Sequence, residues 1–526
     1  MNFDYIIVGG GSAGCVLAAR LSEDPSVKVL LLEAGGKDSH FLYHWPAGFA
    51  KMTKGIGSWG WSTVPQKYLR DRVLWYTQAK VIGGGSSINA QIYTRGNQLD
   101  FDTWAQTGCR GWDYESLLPY FRRSEDNDSL NGEFHGKGGP IGVSRPRAAL
   151  PICDAFLQAA EQYGIPYCSD LSGPMPEGVG FYQLTQRDSR RSSAASAYLK
   201  PAMSRPNLTV TMNCMTLKVV IEKLQAVAVD VFIEGRQVTF KAEREIILTS
   251  GAIGTAKLLM LSGVGPADHL RTVGVKPVHD LPGVGSNLQD HLDICTISEC
   301  TGDHTYDKYG KPWWAALAGL QYLLARSGPA ASSLFETGGF WYADKNAAAP
   351  DMQFHLGQGS GIEAGIAKLR KAGVTLNAAF MRPRSRGSVR LKDADPVSAP
   401  LIDPNYWSDP YDKEMSLRGL QMARDIMRQP ALSRFVEQEV LPGSAVVSEE
   451  DVFSYACKMA KTDHHPAGTC QMGNHTACVV APNLKVTGLE RLRIADNSIM
   501  PTLVSSNTNA TAMMIGEKAA DLIRNG

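Results

Sequence analysis

The stretch DHHPAGTCQMG, Asp463–Gly473, places two adjacent histidines before a proline. Imidazoles can ligate a metal, activate a nucleophile, move a proton or simply pack. A metal site is poorly supported, because His464, His465 and Cys470 have no partner CxxC or HxxxH and no acidic ligand set nearby. A nucleophile is no better supported: the chain has no GxSxG elbow, and nothing beside Cys470 marks an activated thiol. General-base chemistry and ordinary packing remain. Pro466 pushes His465 towards extended backbone, where neighbouring side chains point to opposite sides. On that geometry only one of the two imidazoles should face a given partner.

A second kind of chemistry is legible at the N-terminus, FDYIIVGGGSAGCVLAARLSEDPSVKVLLLEAGG. Phe3–Val8 reads as a buried parallel strand, CVLAARLS has helical spacing of apolar residues, and VKVLLLEAG reads as a second strand ending at Glu33. Between strand and helix, Gly9, Gly11 and Gly14 form GxGxxG: a tight turn, a close approach to pyrophosphate, and close helix packing. The helix N-terminus offers free N–H groups to phosphate. Glu33 is placed to accept from adenosine ribose hydroxyls, and an acid there argues against a phosphate on that ribose. The motif predicts a dinucleotide without choosing between FAD and NAD.

Two further glycine-rich stretches accompany it. AKVIGGGSSINAQIYTRG, Ala79–Gly96, cannot be a regular element across its three glycines and suits backbone lying against a flat ligand. SGAIGTAKLLMLSGVGP, Ser250–Pro266, follows the strand-like REIILTSG and predicts a helix from about Thr255 to Leu261. Its plain reading is helix packing on the sheet.

The elements that must position these residues belong to a chain of 526 residues, long enough for two domains. A formal net charge of +1 gives no overall basic field for nucleic acid or an anionic membrane, so recognition in a pocket is expected. No apolar run reaches membrane-span length, and the N-terminus has no basic n-region, so the cytoplasm is the expected location. Ten scattered cysteines read as reduced thiols.

In order along the chain, the N-terminal GxGxxG with Glu33, residues 79–96, residues 251–265, LPGVGSNLQDH (281–291), HPAGTCQMG and ADNSIMPTLVSSNTNATAMMIGEKAADLI (495–523) resemble the glucose–methanol–choline flavoprotein oxidoreductases. That resemblance implies FAD and an α/β fold (α+β overall). A Rossmann-like FAD-binding domain would comprise residues 1–150, 205–295 and 460–526. An inserted substrate domain, 151–204 and 296–459, would carry a mostly antiparallel sheet. The segments GFAKMT, DKYGKPWWAALAGLQYLLARSGPAAS, FETGGFWYAD and GIEAGIAKLRKAGVTLN are most similar to a bacterial branch that oxidises L-sorbose.

The resemblance also implies roles for residues. His465, immediately before proline, would be the base that takes a hydroxyl proton. Asn507 would hydrogen-bond the substrate oxygen, with Asn509 as the competing candidate, and either could cap the helix starting near Ala510. FAD contacts would come from Gly9, Gly11, Ser12, Ala13, Gly14, Glu33 and Ala34. Val81, Gly83, Gly84, Ser86, Asn89 and Ala90 would add the second loop, followed by Leu217 and Gly251. Ala495, Asp496, Asn507 and Thr508 would complete the set, and a buried acid at a helix start is the plain alternative for Asp496. Glu336, His355 and His464 are expected to line the substrate pocket.

Ile88 stands where some relatives bond FAD through histidine, so the flavin should be non-covalent. Ala256 replaces the usual proline or serine at a helix start. The basic run FMRPRSRGSVRLKDADP reads as a solvated sheet edge, and Trp313 and Trp314 as core or a cavity lid.

The activity so implied is oxidation of a primary alcohol or polyol, with L-sorbose to L-sorbosone foremost and a quinone or similar external electron acceptor. Choline or simple alcohols, and an oxidase rather than a dehydrogenase, are the alternatives within the family. A hydroxynitrile lyase on the same fold and a non-catalytic flavin-binding protein are the rivals from other classes. A homo-oligomer is compatible with all of these.

Overall fold

The β-branched N-terminal run becomes the central strand Asn2–Val8 of a seven-stranded sheet in the computed structural model, which describes residues 2–52, 55–360, 369 and 371–525. Ile6 and Ile7 are fully buried, as a strand covered on both faces requires. Leu208–Thr211, Val29–Leu32, Asn2–Val8 and Arg236–Leu248 lie side by side in parallel. The last of these splits its far edge. Residues 236–241 pair antiparallel with Gln225–Ile233, which pairs with Met215–Glu222, while residues 246–248 pair in parallel with Leu492–Ile494.

The helix Ser12–Leu21 follows the first strand, and its seat depends on Gly14: a Cβ there would lie 1.9 Å from the Gly9 carbonyl oxygen. The C-terminal helix Asn509–Asn525 lies along it. That contact is pinned by the buried Glu517, which pairs with Arg20 at 2.8 Å and accepts from the Tyr198 hydroxyl at 2.6 Å.

The second large sheet is wholly antiparallel. Its order is Val436–Leu441, Leu292–Cys300, Gly373–Phe380, Met352–Gly357, Phe335–Trp341 and Gly178–Phe181. Helices Pro151–Tyr163 and Pro410–Met427 join it in one apolar core that contains Ile152, Phe156, Phe354 and Met415. A short pairing, Leu292 with Thr462 and Asp293 with Lys461, ties this sheet to the histidine segment. It sets residues 290–291 beside residues 463–465.

Two expectations are corrected. The basic run is no sheet edge: Gly387–Arg390 is the middle strand between Ser286–Leu288 and Leu401–Asp403. Its arginines brace the interior, with Arg382 paired to Asp100 at 2.9 Å and Arg390 donating to the Val284 carbonyl. Trp313 and Trp314 are neither core nor lid. They are exposed on helix Pro312–Ala325, which turns its small residues Ala318 and Gly319 inward with Tyr322.

Of the segments that carried the finer resemblance, residues 361–368, residue 370 and Thr53 lie outside the described residues. Among the described residues no disulfide is formed, and no helix is long and apolar enough to cross a membrane.

Candidate active site

The carboxyl ends of the parallel strands, at Val8, Leu32 and Thr249, form one wall of a cavity of about 370 Å³. This is where open α/β sheets bind ligands. The first two glycine loops meet here. Gly83 N donates to the Gly10 carbonyl at 2.7 Å, and a Cβ on Gly84, whose φ is +55°, would lie 2.6 Å from Gly11 Cα. The loops fit together this closely only because Gly84 carries no side chain.

Glu33 closes the turn. Its carboxylate accepts from Gly10 N and Gly35 N, both at 2.7 Å, and burial pushes its pKa up to about 7.

The cavity wall includes Gly9, Gly11, Ser12, Ala13, Glu33 and Ala34 from the first motif, and Gly84, Asn89 and Ala90 from the second. Gly251, Asp496, Asn507 and Thr508 join them, and so does Ile88. The remaining residues expected at the cofactor stand behind the wall. Gly14 seats the helix. Gly83 makes the loop-to-loop bond, Val81 is buried in an apolar cluster, and Ser86 donates to the Gly83 carbonyl while accepting from Ala194 N. Leu217 leaves the wall to Met215 and Thr216, and Ala495 spends its N–H on the Leu248 carbonyl.

Asp496 also holds structure together. It accepts from Gly251 N at the start of helix Gly251–Leu261, from Thr255 Oγ1, and from Ser498 N in its own turn. Burial raises its carboxyl above the usual range.

At the other end of the cavity stand His465 and Asn507, with Asn507 Nδ2 3.4 Å from His465 Nε2. Their hydrogen bonds fix which atoms carry protons. His291 Nε2 lies 3.1 Å from the Met381 carbonyl, which can only accept, so His291 is protonated at Nε2. Burial holds its pKa down to about 3, which keeps it neutral and leaves Nδ1 a bare acceptor. His465 Nδ1 lies 3.0 Å from that atom and therefore donates to it. The proton of neutral His465 is thus on Nδ1, and Nε2 presents a lone pair to the cavity.

Asn507 agrees with this assignment. Its Oδ1 accepts from Thr94 Oγ1 and Gln353 Nε2, which turns Nδ2 towards His465. Burial holds the His465 pKa well below its usual range, and His291, His355, His464 and Lys461 add to the effect. The backbone of His465 is fixed by the buried Asp290, whose Oδ1 accepts its N–H at 2.8 Å while Oδ2 accepts from Thr462 and Tyr406.

Asn509 is engaged elsewhere, accepting from Ser12 Oγ at 2.8 Å and so tying the C-terminal helix to the glycine helix.

The expectation of opposed histidines is corrected. His464 and His465 both line the cavity, because His464 takes φ +62°, which breaks the extended alternation. His355 lines it too, with Phe49, Phe335, Asn377 and Asp463.

Glu336 does not. Along Phe335–Trp341, Phe335 takes the cavity face and Glu336 the opposite one, where Gln358 Nε2 donates to its carboxylate and burial raises its pKa to about 7. Sequence reasoning also missed His291, Asp290, Thr94 and Gln353. Asp290 and His291 end the motif LPGVGSNLQDH, but only a pairing across the chain brings them to His465.

Comparison with known proteins bears on this geometry. Profiles of the GMC oxidoreductase family match residues 3–293 and 383–516. An alcohol dehydrogenase [acceptor] of Pseudomonas putida is 40% identical over 99% of this chain and 95% of its own length. The mitochondrial choline dehydrogenase of Homo sapiens is 40% identical over 99% of this chain and 90% of its own. Among solved structures, pyridoxine 4-oxidase from Mesorbium loti superposes with a TM-score of 0.91 at 31% identity, covering 100% of both chains.

Proposed function

This chain belongs to the GMC oxidoreductase family, an FAD-dependent family acting on alcohols, and from that premise we propose that His465 and Asn507 are its catalytic pair and a hydroxyl-rich primary alcohol its substrate. The residues present fit FAD. At the glycine cradle Gly84 leaves no room for a side chain against Gly11, Glu33 stands at the end of the second strand, and the wall is continuous to His465. Glu33, the N-terminal turn of Ser12–Leu21 and the loop through Gly84 and Asn89 would hold it. When bound, FAD supplies the hydride acceptor. Ile88 at the wall offers no atom for a covalent bond, which supports a non-covalent flavin.

The observation that carries the catalytic reading is the bare Nε2 of His465, held in that state through Nδ1 by His291 and set beside the Asn507 amide. Nε2 takes the hydroxyl proton while Asn507 Nδ2 donates to the oxygen as its charge grows. His355, Asn377, Asp463 and His464 surround the pair with donors and acceptors for further hydroxyls, which supports a polyol or ketose such as L-sorbose. A quinone or similar molecule would reoxidise the flavin.

Choline or a simple alcohol is the second reading. It is favoured by the two relatives at 40% identity, and Asp463, whose carboxylate lies 3.7 Å from Lys461 Nζ, adds an acid to the wall.

The test is anaerobic mixing of the holoenzyme with L-sorbose, choline and simple primary alcohols while the visible flavin band is followed. Bleaching by L-sorbose supports the first reading, and bleaching by choline or plain alcohols alone replaces it with the second. No bleaching by any alcohol overturns the role given to His465 and leaves a lyase or a binding protein.

A further inference from the structure

Helix Pro312–Ala325 turns a continuous apolar face to solvent. Trp313 is 73% exposed, Leu320 53%, Leu323 59% and Leu324 79%, and Trp314 and Leu317 stand out with them. Only Ala318, Gly319 and Tyr322 of its fourteen residues are buried, and the helix contains no charged residue. The six side chains present on the order of 700 Å² of apolar surface, above the few hundred Å² usual for the largest patch of a monomer. Phe41, 52% exposed, extends the patch. It packs on Trp45 at 4.9 Å between ring centres, and Trp45 packs on Tyr322 at the same distance.

The charged residues that flank the helix most closely in sequence are cations. Lys308 and Lys311 precede the helix and Arg326 follows it. Lys308 Nζ lies 5.3 Å from the Trp314 ring centre and the Arg326 guanidinium 4.9 Å from that of Tyr322, so both cations are held at the rim of the apolar surface. The acid next to Lys308, Asp307, is turned inward, where it accepts from Ser360 N and Gly373 N.

We propose that this face docks on the surface of an anionic lipid bilayer. Leucines would lie at the acyl boundary, the two tryptophans at the headgroup level, and the three cations against lipid phosphates. At 1.5 Å per residue the helix is about 21 Å long, short of the ~30 Å hydrocarbon core, so it lies on the membrane rather than across it. A protein partner usually finds more hydrogen-bonding groups than this helix offers: Gln321 and two indole N–H groups are exposed, and the Tyr322 hydroxyl is spent on the Ser189 carbonyl. The net charge of +1 hides this arrangement, because the cations are local to the apolar face. The turn after Trp45, Pro46–Lys51, carries Phe49 into the cavity wall, so docking sets that wall near the lipid.

The test is co-sedimentation of the holoenzyme with vesicles of phosphatidylcholine, with and without phosphatidylglycerol. The native protein should bind the anionic vesicles at least about tenfold more tightly than the neutral ones. The variant carrying Trp313→Ser, Leu320→Ser and Leu324→Ser should lose binding while keeping its flavin, its melting temperature and its turnover with a soluble dye. The variant carrying Lys308→Gln, Lys311→Gln and Arg326→Gln should lose the preference for anionic lipid. Absence of vesicle binding by the native protein, or native binding by the serine variant, overturns the proposal. So does a native dimer that the serine variant dissolves without any vesicle binding, which would assign the face to a second copy of the chain.

Discussion

Replacing His291 by alanine tests the proton assignment at His465 without touching the cavity wall. In the native protein His465 Nδ1–H donates to His291 Nδ1 at 3.0 Å, and His291 is locked in that role by the Met381 carbonyl at 3.1 Å. Alanine leaves the buried Nδ1–H without its acceptor, a loss of about 1–3 kcal/mol. The imidazole escapes that loss by moving its proton to Nε2, the atom that must be bare to accept from an alcohol. A shift of ~2 kcal/mol corresponds to about a 30-fold fall in the rate of flavin reduction. Alanine also leaves a cavity, so the control is glutamine, whose Nε2 can donate to Met381 while Oε1 accepts from His465. Anaerobic stopped-flow of the three holoenzymes, with flavin content matched, should rank native, His291→Gln and His291→Ala in descending rate, with KM changing less than kcat. If the alanine variant reduces its flavin at the native rate, or the glutamine variant is as slow as alanine, the hydrogen-bond chain is not what prepares Nε2.

Three more expectations follow from the same geometry. Glu336→Gln should leave kcat/KM within about twofold of native, because the side chain faces away from the cavity. Native Glu336 keeps its proton up to about pH 7 when folded but only to 4.5 when unfolded, so its contribution to stability is lost as pH rises through that window. The glutamine variant should therefore gain about 2–4 kcal/mol over native at pH 8 and little at pH 4.5, read from melting curves; a tenfold rise in KM would instead put Glu336 at the substrate. The acid limb of the kcat/KM profile should lie below pH 6.5, since burial keeps His465 neutral there, and a limb at or above neutrality would contradict that state. Gly84→Ala should purify with much less flavin per chain, because its Cβ would meet Gly11 Cα at 2.6 Å; full flavin content in that variant would show that the two loops do not form a fixed cradle.

What could be read in the sequence was what is local. Phe3–Val8, the three glycines and Glu33 sit within one strand–helix–strand unit, so short-range patterning places each of them. The helix expected from about Thr255 to Leu261 is present but begins four residues earlier, at Gly251, and the C-terminal helix expected near Ala510 begins at Asn509, so apolar spacing marked both bodies and placed the first start less well. The bond from His465 to His291 spans 174 positions and follows from the pairing of Leu292 with Thr462, which no periodicity announces. Glu336 misleads in a similar way. Alternation says only that it opposes Phe335, and which of the two meets the cavity is decided by the pairing with Met352–Gly357, where the register slips between Phe335 and Thr337.

His464 carries that point to the specificity of the pocket. Had residues 463–466 been evenly extended, His464 would have faced away from the cavity. Thr462 Oγ1 instead accepts the His464 N–H at 2.8 Å while donating to Asp290, and His464 turns at φ +62°. A left-handed turn at a residue with a Cβ costs about 1–2 kcal/mol and persists only where its surroundings hold it. The surroundings here are the same Asp290 that accepts the His465 N–H. One buried carboxylate therefore fixes both His465, the proposed base, and the histidine beside it. His464 is thus set in the wall by the same backbone that presents the imidazole proposed as the base, and on that reading a change at Thr462 or Asp290 should alter which alcohols are accepted as well as how fast they react.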